Sequence, residues 1–329
     1  MKVLILAPKA RYDTYSPKLA EETGAELVFQ DREGREEDWL TAGGDADVLF
    51  VTPVTPIRER LLARMPNLKM IHCEGVGFDR IDLEAARKRG IYVCNNAGCN
   101  AAAVGELAVT LMSMLLHRTL WGDRMVKAGR QGQAVKRLEV DIPPDLSVST
   151  VGLIGFGAIG QATAERLRAY GAKVYYTARH RRTPEVEQRY GVDYLPLEEL
   201  LPQCDVVSLH LPATAESRQL VDAAFLGRMK PGAFLVNTAR GALIDDAALC
   251  DALRGGQLSG AALDCYEPEP AGEDHPLVRL GRELPDRLIL CPHQGGISQS
   301  AFHSAHRMLR EDLEKLQRGQ RPAHIVNGL

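Results

Sequence analysis

A histidine, a glutamate, an arginine and three closely spaced glycines are the residues of this chain whose types and spacing could do chemistry. Gly155-Phe156-Gly157-Ala158-Ile159-Gly160 follows an apolar run at 151–155 and precedes a helical pattern at 161–170. In a strand-turn-helix the first glycine permits a tight turn, the second lets a pyrophosphate approach, and the third lets helix pack on strand. The helix N-terminus adds amide donors and a positive dipole end, so the loop reads as a dinucleotide cradle. Three later apolar runs lead directly into Arg240, Glu269 and His293. In open α/β sheets the ligand crevice lies beyond the carboxyl ends of strands, which puts these three side chains on one edge. Reducing a 2-oxo acid needs a cation to grip the carboxylate and polarise the carbonyl, and a proton donor with a pKa near neutrality. Arg240 and His293 meet those needs. Glu269, hydrogen-bonded to the imidazole, would orient it and favour its protonated form. The chemistry implied is hydride exchange between a nicotinamide and a small 2-oxo or 2-hydroxy acid.

The elements that position these groups are short β-branched runs alternating with longer amphipathic stretches, the pattern of βαβ units and parallel sheets. Strands are expected at 3–7, 26–29, 48–51, 69–73 and 91–94, with helices between them such as 83–89, giving a five-stranded flavodoxin-like unit. A second series at 151–155, 173–176, 206–211, 234–237, 261–264 and 288–291 forms a Rossmann sheet. The fold class is therefore α/β, with two doubly wound parallel sheets. Between the series lie an apolar helix at about 101–120 and a polar stretch at 127–149, expected to be irregular around Pro143 and Pro144. A final helix at 300–318 is free to return to the first sheet.

At 329 residues the chain is long enough for two cores. A net charge of -3 with 25% charged residues gives no basic excess to draw it onto nucleic acid or anionic lipid, so small molecules are the expected partners. The apolar start is too short for a signal peptide, and residues 104–116 are too few to span a bilayer and include Glu106, so a cytoplasmic location is expected. Seven cysteines without paired short spacings argue against a disulfide framework or a zinc site, and no metal is expected. Among the other histidines His72, His117, His180, His275, His303, His306 and His324 show no convergence in sequence; His210, near a strand end, reads as a packing residue.

From about Lys69 onward the chain resembles the D-isomer-specific 2-hydroxyacid dehydrogenases. The likeness is carried by Gly75-Val76-Gly77-Phe78-Asp79, by 93–100 with Val104-Gly105-Glu106, by the glycine loop, by Val236-Asn237-Thr238-Ala239-Arg240-Gly241, by 262–270, and by Pro292-His293. The resemblance implies that Arg240 binds the substrate carboxylate and carbonyl, that His293 is the acid/base with Glu269 as its partner, and that backbone amides of Val76 and Gly77 meet the substrate carboxylate. It implies that Asp264 holds the nicotinamide, with Val104 and Ala239 beside the cofactor; a simple strand-end cap is the plainer reading of Asp264. It also implies a discontinuous substrate-binding domain (1–99 and 293–329), a cofactor domain (100–292), a cleft between them, and a homodimer formed through the cofactor domain. Gly105, Cys265 and Gln294 depart from the family's usual residues and are expected to alter cleft lining more than chemistry. Glu269 argues against the related formate dehydrogenases, which lack that partner.

After the run at 173–176 the sequence reads Thr177-Ala178-Arg179-His180-Arg181-Arg182, with no carboxylate before Glu185. An acidic residue there would accept the adenosine ribose hydroxyls of NAD, while arginines suit the 2′-phosphate. NADP is therefore expected over NAD, with Arg179 the main contact, Thr177 a hydroxyl partner, and Arg181 or Arg182 a weaker clamp. The expected substrate is of the glyoxylate or hydroxypyruvate type. The rivals are 3-phosphoglycerate oxidation, which would need a basic pocket near residues 52–60 for the phosphate, with Arg58 and Arg60 as weak candidates, and a non-enzymatic nucleotide-sensing corepressor-like protein.

Overall fold

The computed structural model describes all 329 residues and divides the chain into two compact units, Met1–Asn100 with Gly296–Leu329, and Ala101–Gly295. His293, Gln294 and Gly295 thus fall with the glycine loop and not, as expected from sequence, with the first unit. The reason is local: the amides of Gln294 and Gly295 both donate to the Asp264 carboxylate, each at 2.8 Å.

The first unit is a five-stranded parallel sheet built from β1 (Lys2–Leu6), β2 (Glu26–Phe29), β3 (Val48–Val51), β4 (Met70–Cys73) and β5 (Tyr92–Cys94), in the order β2-β1-β3-β4-β5. That is the flavodoxin-like order. β3 and β4 are buried along their whole length, as parallel strands covered on both faces must be. Leu49, Val51, Ile57, Leu61, Ile71 and Val93 fill one face. Val3, Ile5, Tyr12, Phe50 and Met70 fill the other, closed by Leu309 and Leu313 of the helix Gln299–Gln317, so the last helix does return to this sheet.

The second unit is a seven-stranded parallel sheet of β6 (Thr150–Ile154), β7 (Lys173–Thr177), β8 (Asp193–Tyr194), β9 (Val206–Leu209), β10 (Ala233–Asn237), β11 (Leu258–Leu263) and β12 (Leu288–Leu290). Its order, β12-β11-β10-β9-β6-β7-β8, reverses between β6 and β9, where the Rossmann arrangement opens its crevice. The two-residue β8 is too short to signal itself in sequence. The apolar helix runs Ala101–Leu116 and stops where Arg118 takes a positive φ of 54°, before a separate helix Thr119–Lys127 begins. The polar stretch is irregular around Pro143 and Pro144, as expected, but ahead of them it contains the helix Gln131–Val140; its only buried side chain is Ala134, which is why no apolar stripe announced it. No helix is long and apolar enough to cross a membrane.

Candidate active site

The glycine loop has the geometry its spacing implies. Gly155 has φ +98°, and a Cβ there would run into the backbone carbonyl of His210 at the end of β9. A Cβ on Gly160 would come within 2.5 Å of the Gly155 carbonyl oxygen, whereas one on Gly157 would meet nothing within 4 Å. The two flanking glycines therefore let chain pack on chain, and the middle one faces open space. Gly157 caps the helix Ala158–Ala169, so the amides of Ala158, Ile159 and Gly160 point out of its first turn. Open space in front of unpaired amides at a positive helix end fits the pyrophosphate of a dinucleotide. Bound there, a reduced nicotinamide dinucleotide supplies the hydride.

His210 lies beside this loop, buried, with neither ring nitrogen hydrogen-bonded. Burial pushes its pKa down to about 4, so the ring is neutral at ordinary pH.

Three strand-end loops of the same sheet carry the remaining groups. After β12 the chain curls so that His293 adopts φ 55°, a left-handed backbone costing of order 1–3 kcal/mol. The two amide bonds to Asp264 hold that curl. His293 Nδ1 then lies 3.0 and 2.9 Å from the two oxygens of Glu269. Glu269 Oε1 also accepts the Tyr266 amide at 2.8 Å, fixing the carboxylate from its own loop. The Glu269 hydrogen bond raises the His293 pKa against an opposing effect of burial. Burial pushes Glu269 up, but bonding to His293 and the Tyr266 amide outweighs it and the carboxyl is lowered. The positive charge of Arg240 is felt by both, tending to lower each pKa. With Nδ1 turned to Glu269, Nε2 is the nitrogen left to hold or accept a proton.

Arg240 is half-buried after β10, its carbonyl taking the Asn237 side-chain amide at 2.8 Å and its Nη1 donating to the Ala239 carbonyl at 2.7 Å. Asn237 also accepts the Ala239 amide at 2.9 Å, so one asparagine ties the loop at two points. Next to it, a Cβ on Gly241 would occupy the place of the Tyr266 backbone carbonyl. The glycine is required for the arginine loop to lie against the glutamate loop. The Tyr266 hydroxyl in turn donates to the carbonyl of Cys291 at 2.7 Å, joining the glutamate loop to the end of β12. Asn237, Gly241 and Tyr266 thus position the site; sequence reading quoted all three in motifs without giving them work.

Asp264 is buried and spends one oxygen on each of the Gln294 and Gly295 amides, the cap that sequence offered as its plainer reading. Burial raises its carboxyl, partly offset by those amides. Val104 and Ala239 are buried, with Val104 against Gly295. In the first unit the loop after β4 is pinned by its carbonyls: Gly75 accepts from the Asn96 amide, Val76 from the Asn95 side chain at 2.7 Å, and Gly77 from the Cys73 thiol at 2.9 Å. These bonds leave the Val76 and Gly77 amides unspent.

Two expectations need correcting. Gly105 does not line the site; a Cβ there would stand 3.0 Å from backbone atoms of Ala162 and Thr163, so it marks a close helix crossing. Arg181 is not free to clamp a phosphate: it makes a two-pronged bond to Glu187 at 2.9 Å on each arm, and Arg182 Nη2 donates to the Phe156 carbonyl at 2.9 Å. Arg179 and Thr177 stand at the end of β7, Arg179 exposed.

A Rossmann sheet with a dinucleotide loop, and a histidine-glutamate pair and an arginine at the ends of its other strands, defines a nicotinamide-dependent oxidoreductase. The chain belongs to the D-isomer specific 2-hydroxyacid dehydrogenases: that family's NAD binding domain matches residues 109–295. It is 36% identical to a glyoxylate reductase of Thermococcus litoralis over 86% of this chain and 84% of that one. It is 33% identical to a glyoxylate reductase of Thermococcus onnurineus over 99% and 96%. The structure matches a glyoxylate reductase of Paecilomyes thermophila with a TM-score of 0.85 at 28% identity, over 99% of this chain and 98% of that one. The protein is an enzyme that transfers a hydride between a nicotinamide dinucleotide and a small 2-oxo or 2-hydroxy acid.

Proposed function

We propose that the chain reduces glyoxylate or hydroxypyruvate, with NADPH preferred to NADH, as a cytoplasmic homodimer. The observation that carries the chemistry is the His293–Glu269 pair at 2.9 Å beside Arg240, in the unit that bears the glycine loop. In this reading Arg240 grips the oxo acid, and the protonated His293 gives its Nε2 proton to the carbonyl oxygen. Glu269 keeps the imidazole charged and aimed. The Val76 and Gly77 amides take the substrate carboxylate, a role supported by a loop fixed through its carbonyls. Asp264 serves the nicotinamide end, with Val104 and Ala239 packed around it. The names of the relatives support glyoxylate as substrate. The phosphoglycerate alternative is weakened because Arg60 already makes two bonds to Glu36, at 3.0 and 2.7 Å.

The NADPH preference rests on the basic turn after β7. Glu187 neutralises Arg181, which leaves Arg179 as the guanidinium for the 2′-phosphate, with Thr177 beside it. Dimerisation is supported by Val126, Val135, Val140, Ile142 and Val148, large apolar side chains exposed on and after the helices Thr119–Lys127 and Gln131–Val140.

A panel of glyoxylate, hydroxypyruvate, pyruvate, phenylpyruvate and 3-phosphohydroxypyruvate with both reduced cofactors tests the reading. The highest kcat/KM is expected for glyoxylate or hydroxypyruvate with NADPH. Arg179→Ala should weaken NADPH roughly 10- to 150-fold, the range of one charged hydrogen bond, and leave NADH nearly unchanged. A higher efficiency with NADH in the wild type refutes the cofactor assignment, and a preference for the phosphorylated acid refutes the substrate assignment.

A further inference from the structure

The first unit holds a second cluster of side chains with chemical capacity, and the proposed reaction does not use it. His72 on β4 and Asp312 on the helix Gln299–Gln317 are both fully buried. His324 comes from the tail that follows, whose backbone is sewn to β5 and the residue beyond it: the Val326 amide donates to the Val93 carbonyl at 2.8 Å and the Asn95 amide to the His324 carbonyl at 3.1 Å. One ligand atom from each of the three lies within 4.8 Å of the others. No sequence spacing links positions 72, 312 and 324. The tail's return to β5 brings them together, correcting the expectation that these histidines converge on nothing.

Their orientation is that of ligands. His72 Nδ1 is 3.2 Å from the carbonyl oxygen of Cys73, which can only accept, so Nδ1 carries the proton and Nε2 presents a lone pair. Nε2 is sealed from solvent and makes no hydrogen bond, although it lies 3.2 Å from Asp312 Oδ2. Two electron-rich atoms facing each other in a dry interior are costly unless a cation joins them. Ligands at about 2.0–2.1 Å from a tetrahedral zinc ion stand about 3.3 Å apart, close to this separation. The ring N–H on a backbone carbonyl is the usual outer support of a metal-bound histidine. Asp312 is prepared in the same way: Oδ1 accepts the Ala323 amide at 2.7 Å, directing Oδ2 at the two rings. His324 Nδ1, 2.9 Å from Oδ2, completes the set, and its side chain is 23% exposed, which provides an entry path.

We infer that His72, Asp312 and His324 form a zinc-type metal site that ties the C-terminal tail to the first sheet. Two imidazoles and a carboxylate suit a borderline divalent ion of the zinc kind better than magnesium or calcium. Binding takes the place of the proton by which His324 Nδ1 donates to Asp312; that proton moves to Nε2 of the same ring, so the ligand remains a neutral imidazole.

The test uses the full-length enzyme, treated with chelator and titrated with zinc chloride, followed by calorimetry and metal analysis after dialysis. Cobalt chloride provides a visible d–d signature of the same site. One zinc per chain is expected, with a raised melting temperature. His324→Ala, at the rim of the cluster, and Asp312→Asn should weaken binding at least about a hundredfold, since even outer partners of a site are worth 10–100-fold. His324→Ala should keep its turnover and its circular dichroism spectrum, which separates loss of the site from loss of the fold. Absence of stoichiometric uptake by the wild type, or equal uptake by His324→Ala, overturns the inference and leaves His72 paired directly with Asp312 as the account of the cluster.

Discussion

Replacing Glu269 by glutamine keeps the shape of the site and removes only the charge that faces His293. The wild-type imidazole has its pKa raised because Nδ1 donates to a carboxylate at 2.9–3.0 Å. A hydrogen bond between charged partners is worth about 1.5–3 kcal/mol, a factor of roughly 10–150. The His293 side chain is 43% exposed and Glu269 25%, so solvent screening reduces this to the lower end, about tenfold. The sign follows from which form works. In the proposed reaction, reduction uses protonated His293, a form that persists to higher pH when the pKa is raised and is lost as pH rises through the folded value. Glu269→Gln should therefore move the alkaline fall in reductive kcat/KM to lower pH and cost about tenfold on that limb, with little change at acid pH. Oxidation of the hydroxy acid needs the unprotonated ring, so the same variant should gain activity at acid pH. Steady-state kinetics in both directions across the pH range decide it. Profiles that keep the wild-type limbs, or an equal loss in both directions at every pH, refute the pairing as the source of His293's behaviour.

His293→Ala should lower turnover by about 10²–10⁴-fold, the worth of a positioned acid, while cofactor affinity measured by fluorescence titration holds; more than half the wild-type turnover would remove His293 from the reaction. Arg240→Lys should raise KM for the oxo acid and lower kcat, because an ammonium lacks the planar two-pronged donor set, and unchanged kinetics would make Arg240 merely structural. His210 is held near 4 by burial, so the stability it contributes is complete above its unfolded pKa and is lost as pH falls toward the folded one. His210→Leu should therefore narrow the gap in calorimetric melting temperature between pH 7 and pH 4.5; an equal gap in variant and wild type would show that the ring does not remain neutral in the fold.

The parts of this enzyme that sequence reveals are those governed by direction along one chain segment. A parallel strand buried on both faces announces itself as an apolar run, and whatever follows it must stand at the sheet's functional edge. Arg240, Glu269 and His293 could thus be picked out as candidates without any contact being known. The helix Gln131–Val140 and the two-residue β8 escaped because neither buries enough apolar surface to leave a periodic trace. Contacts made sideways, between segments far apart in sequence, escaped for a different reason. Gly241 is small because Tyr266 lies against it, and Gly105 because the helix Ala158–Ala169 crosses there, yet each partner is named only by the fold.

The basic turn after β7 shows how such a contact can change a functional reading. Read in sequence, Arg179 is the main cation of this turn and Arg181 or Arg182 a second, weaker clamp. In the fold Glu187 sits on the next helix, one turn in, and takes the whole fork of Arg181, while the Tyr176 hydroxyl donates to the same carboxylate at 2.7 Å. Arg182 reaches back to the Phe156 carbonyl and braces the glycine loop. In the proposed reading, selectivity for a 2′-phosphate rests on one exposed guanidinium, Arg179, held by a framework the other two help to build. Arg181→Ala should for that reason loosen both cofactors alike, where Arg179→Ala separates them.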